Sequence, residues 1–135
     1  HQVSCQAGLH RRYQLESRSA RPVNPFCQHG LDDEIFIWAC KCLSGEISTE
    51  MRMIVLKMDG KKAKFRYYLD REPSEFTRER AEVVAINFDS GLSRALDVLD
   101  IEFEYSTEPL GKLDVLDGAL FRRWENDTCS TEQDQ

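Results

Sequence analysis

The segment from Met51 to Leu69 constrains the fold of this chain more than any other. Met51, Met53, Ile54, Val55, Leu56 and Met58 form a nearly continuous apolar run, the pattern of a well-buried strand. Asp59-Gly60 follows, a dipeptide suited to the tight turn of a hairpin. Beyond it Phe65, Tyr67 and Leu69 alternate with Lys64, Arg66 and Tyr68. That period of two predicts a second strand, antiparallel to the first.

The rest of the pattern builds around this hairpin. Asp32-Asp33-Glu34 puts negative charge where a helix begins, and Ile35, Trp38, Ala39 and Cys42 recur at helical spacing. A helix is expected over about 32–44, stopped by Gly45. After the turn residues Asp70 to Ser74, Ala81, Val84, Ala85 and Phe88 mark one face of a second helix. Thr77 is the expected N-cap, with Ser74 as the alternative a turn earlier, and Ser90-Gly91 ends the helix. From Val98 to Tyr105, Ile101, Phe103 and Tyr105 alternate with Asp100, Glu102 and Glu104, the clearest strand in the chain. Leu120, Phe121 and Trp124 predict a closing strand over about 119–124. If it lies beside the third strand, Arg122 and Arg123 neutralise carboxylates there. Trp38 and Trp124 are assigned to the core. The order α-β-β-α-β-β predicts a single α+β domain: a four-stranded, mainly antiparallel sheet with two helices on one face.

Charge divides the 135 residues into three parts. Residues 1–30 hold four arginines and one glutamate, without apolar periodicity, and read as a basic, extended or disordered leader. The competing reading is an arm that touches an acidic surface. Residues 31–128 carry 14 Lys and Arg against 21 Asp and Glu, a net of −7. Residues 129–135 read as a disordered acidic tail. An acidic domain repels phosphate backbones, so nucleic acid is not an expected partner, whereas a basic protein surface is. No apolar run approaches the ~20 residues of a membrane span, and none resembles the core of a secretory signal. The expectation is a cytoplasmic protein that does not engage membranes.

Signs of chemistry are missing from the domain. His1, His10 and His29 all fall in the leader. The five cysteines lack a disulfide framework, and Cys40 and Cys42 on a helix point about 200° apart. There is no glycine-rich phosphate loop and no zinc-protease or calcium-loop pattern. No enzyme, metal or cofactor is expected. What remains is a row of carboxylates, Asp100, Glu102 and Glu104, at about 7 Å spacing on one strand face. It is either a solvated face or an acidic patch for a basic partner. Tyr68, pointing opposite to Tyr67, with Asp70 and Glu72 in the next turn, completes the candidate partner contacts.

Five stretches resemble a known group. Leu43 to Ser48 with Met51-Arg52-Met53-Ile54 is similar to its helix end and first strand. Phe65 to Glu75 resembles its strand, aspartate and acidic helix start. Glu79–Phe88, Asp100–Tyr105 and Phe121–Glu125 then follow in order. The group is the immunity proteins of contact-dependent growth inhibition and related polymorphic toxin systems. The resemblance covers about 36–125 and leaves out the leader. Helix 2 departs from it, with Ala85-Ile86-Asn87 where a Thr-Glu pair is expected. The resemblance implies a cytoplasmic inhibitor that binds a cognate toxin C-terminal domain, commonly a nuclease, and covers its basic active-site surface. The alternative is a non-catalytic regulatory or adaptor domain for another basic protein. The sequence leaves the oligomeric state open.

Overall fold

The computed structural model describes residues 29–126. Most of the expected leader and the whole tail lie outside them. Helix α1 spans Asp33–Cys42, strands β1 and β2 span Met51–Asp59 and Lys62–Leu69, and helix α2 spans Glu75–Ser90. Strand β3 runs over Val98–Tyr105, and β4 over Gly118–Arg122 after a short helical turn at Leu110–Lys112. The element order is the one read from the sequence, and both helices cover one face of a four-stranded sheet.

The strand order is β3-β2-β1-β4. β1 pairs antiparallel with β2 and with β4, but β2 and β3 run parallel. The sheet is therefore mixed. A parallel neighbour requires a crossover, and α2 is that crossover. β4 lies on the far edge from β3, so Arg122 and Arg123 do not meet the carboxylate row.

β1 is central, and its residues from Met51 to Leu56 are all buried. Met51, Ile54 and Leu56 join Phe65, Tyr67, Leu69, Ala81, Val84 and Phe88 in the core under the helices. Met53 and Val55 face the other way, where they meet Tyr68, Leu110 and Ala119 beneath the segment that carries Leu113, Val115 and Leu116. A nearly continuous apolar strand thus has two cores to fill. The pairing slips between Met51 and Met53, so Arg52 sits at a bulge and is released from the alternation.

Local chemistry sets the helix ends. Asp32 caps α1 by accepting from the Glu34 amide. Ser74, not Thr77, is the N-cap of α2: its hydroxyl accepts from the Thr77 amide while Thr77 Oγ1 accepts from the Ser74 amide. Thr77 is then free to donate to the buried Glu50 carboxylate at 2.6 Å. α2 closes at Gly91, which lies flat against the Trp38 indole. Trp38 in turn donates from Nε1 to the Phe88 carbonyl at 2.9 Å. The packed unit begins before residue 31. His29, expected in the leader, stacks on Phe36 with ring centres 4.0 Å apart, and the Gly30 amide donates to the Asp117 carbonyl.

Candidate functional site

The half of the outer sheet face that the Leu110–Leu116 segment leaves uncovered is built by β2 and β3. Their parallel register places Lys64 opposite Asp100, Arg66 opposite Glu102 and Tyr68 opposite Glu104. The carboxylate row therefore stands beside a basic row. The sequence showed both rows, each as the polar phase of its own strand, but no local signal says which strands are neighbours.

The row is not uniform. Glu102 is neutralised in place: Arg66 Nε lies 2.9 Å from one oxygen and Lys64 Nζ 3.1 Å from the other. The hydrogen bond from Arg66, reinforced by Lys64, holds its carboxyl below the usual range. Asp100 and Glu104 are exposed and form no ion pair among the described residues. Below Asp100, toward the hairpin turn, Lys57, Asp59, Lys62 and Lys64 line a shallow cavity of about 170 Å³. The face is thus patterned in both signs, with two unmatched carboxylates at its outer edge.

The other expected contacts are placed differently. Tyr68 is buried, at 1% exposure, and its hydroxyl donates to the Asp114 carbonyl at 2.8 Å. The expectation of an exposed aromatic there fails because the Leu110–Leu116 segment folds over it. Asp70 is committed internally. It accepts from Arg71 Nε at 2.7 Å and from Arg123 Nη1 at 2.9 Å, which hold its carboxyl below the ordinary range. Glu72 is exposed in the turn after β2. Trp124, assigned to the core from sequence, is 77% exposed. It lies two residues past the end of β4, off the packed sheet.

Behind these groups lies a rigid anchor. Arg52 meets Glu125 with two hydrogen bonds and donates to the carbonyls of Ser106 and Glu108 at 2.7 and 2.8 Å. It ties the bulge in β1 to the end of β3 and to the last described turn. Among the described residues no three His, Cys, Asp or Glu side chains converge where a metal ion fits. Burial pushes the thiols of Cys40 and Cys42 above the usual value. No helix among the described residues is long and apolar enough to cross a membrane.

Residues 32–125 match the family described as MafI2 immunity protein. The chain belongs to this family. The MafI2 match opens at the N-cap of α1 and closes on Glu125, the partner of Arg52, so it takes in both helices and all four strands. It agrees with the resemblance to polymorphic toxin immunity proteins found in the sequence. Comparison with curated proteins finds no significant match. For a MafI2 immunity domain, the side chains that sequence reasoning missed are Lys57, Lys62, Lys64 and Arg66. Their signal was present in the polar phase of β1 and β2, but only the β2–β3 register sets Lys64 and Arg66 against the acidic row, with Lys57 opposite Lys64 on the β1 side.

Proposed function

We propose that this chain neutralises a cognate toxin by binding its C-terminal domain in the cytoplasm, without chemistry of its own. The observation that carries the reading is the MafI2 immunity match over residues 32–125. The domain's charge supports it. A net of −7 over residues 31–128 draws in a basic protein surface and speeds encounter. A nuclease has such a surface, because it must hold phosphates, so a nuclease is the proposed target. The proposed contacts are Asp100 and Glu104 on β3, with Glu72 and Trp124 exposed elsewhere on the unit.

The test is protection. The toxin domain encoded by the adjacent gene is expressed with and without this chain. Growth is restored only by this chain, and the purified proteins form a one-to-one complex by calorimetry. Continued killing in the presence of well-expressed, folded chain would sink the reading.

A further inference from the structure

The edge of the sheet at β3 carries a second kind of recognition. β3 is the terminal strand and has only β2 as a neighbour. Along a strand the amide and carbonyl of one residue point to the same side, and the side alternates from residue to residue. The Val98 amide donates to the Lys61 carbonyl and the Ser106 amide to the Leu69 carbonyl, both toward β2. By alternation the even-numbered residues face β2. Leu99, Ile101, Phe103 and Tyr105 turn their amides and carbonyls to the open edge.

This edge spans eight residues and contains no proline. Its ends expose apolar side chains, Val98 at 40% and Tyr105 at 50%. An open ladder of this kind is a template for another strand. Its charge selects which strand. A second copy of this chain is disfavoured, because pairing β3 with itself sets Asp100, Glu102 and Glu104 against the same three residues. A strand with basic residues on one face suffers no such repulsion. Asp100 and Glu104, the two carboxylates of the row that form no ion pair among the described residues, lie about 13 Å apart along the strand. They match cations four residues apart on an added strand.

We infer that β3 is an augmentation edge, which takes an extended basic segment of the toxin as a fifth strand of this sheet. The inference rests on the toxin-binding reading above, and it adds the mode of contact. Backbone pairing supplies the affinity, and Asp100 and Glu104 supply the choice of partner.

Amide exchange of the full chain by NMR, with and without the purified toxin domain encoded by the adjacent gene, tests it. On complex formation the amides of Leu99, Ile101, Phe103 and Tyr105 slow at least tenfold, while those of Asp100, Glu102 and Glu104 change little. Tyr105→Pro removes one outward donor and no bond to β2. It weakens the complex at least tenfold and leaves circular dichroism unchanged. Asp100→Lys with Glu104→Lys does the same. A complex that forms with the four outward amides still exchanging freely overturns the inference and leaves the toxin reading intact. Concentration-dependent protection of these amides in the chain alone gives the edge to a second copy and also overturns it. Absence of any complex overturns both.

Discussion

The guanidinium of Arg52 closes on the carboxylate of Glu125 at 2.6 and 2.9 Å, across 73 residues of chain. Only 5% of the arginine side chain and 12% of the glutamate side chain meet solvent. Around this pair the bulge of β1, the end of β3 and the residues after β4 are held together.

Replacing Arg52 by Met keeps its volume and removes every donor. The carbonyls of Ser106 and Glu108 then lose their partner, and Glu125 keeps only Arg123. Breaking one side of a buried pair costs about 3 kcal/mol. Urea unfolding reads this as a lower midpoint with an unchanged slope. A midpoint equal to that of the parent would show the clamp to be ornamental.

Acid should weaken the domain in a defined direction. Asp70, Glu102 and Glu125 all have carboxyl groups held below their ordinary range by arginine partners. In the unfolded chain these groups bind protons at higher pH than in the fold. Their contribution is therefore complete above the unfolded values of about 4 and is lost as pH falls through the folded ones. Unfolding midpoints measured from pH 6 to pH 3 decline, and the decline is shallower in Asp70→Asn with Glu125→Gln. An equal slope in that variant would place the acid sensitivity elsewhere.

Gly91 faces the Trp38 ring so closely that an added methyl lies 2.2 Å from an indole carbon. The ring is fixed by its bond to the Phe88 carbonyl and has little room to yield. Gly91→Ala lowers stability by about 2 kcal/mol through overpacking. Calorimetry shows the loss, and Trp38→Phe in the same background recovers part of it. A more stable alanine variant would refute the contact.

Tyr68→Phe removes two hydroxyl bonds, the one donated to the Asp114 carbonyl and the one accepted from Arg66 Nη1, and costs about 1–2 kcal/mol. Because the ring is buried, toxin protection in cells is expected to be unchanged. Loss of protection without loss of folded protein would return Tyr68 to the partner surface.

Much of the fold was legible because it is written in local periodicity. The apolar run of β1, the Asp59-Gly60 turn and the alternation of β2 and β3 each specify a strand without reference to distant residues. What stayed hidden depends on who sits beside whom. The parallel pairing of β2 with β3 arises from the α2 crossover, and no residue of either strand announces it. Tyr68 reads as outward because the strand alternates, and it is outward. Its burial comes from Leu110, Leu113, Val115 and Leu116, whose segment reads only as a loop. Asp70 reads as a free turn carboxylate until Arg123, 53 residues away, is brought against it. The shift from Thr77 to Ser74 at the cap turns on Glu50, which takes the threonine hydroxyl.

The position of β1 at the centre of the sheet also orders events during synthesis. β1 and β2 form a hairpin from neighbouring residues and emerge first, whereas β4, the other neighbour of β1, is made last. At ribosomal rates of about 5–20 residues per second, the hairpin waits on the order of several seconds with both flanks bare. Lys57, Lys62, Lys64 and Arg66 lie on that hairpin. Until the acidic strand arrives, two such hairpins brought edge to edge would set these like charges against one another, which disfavours their pairing.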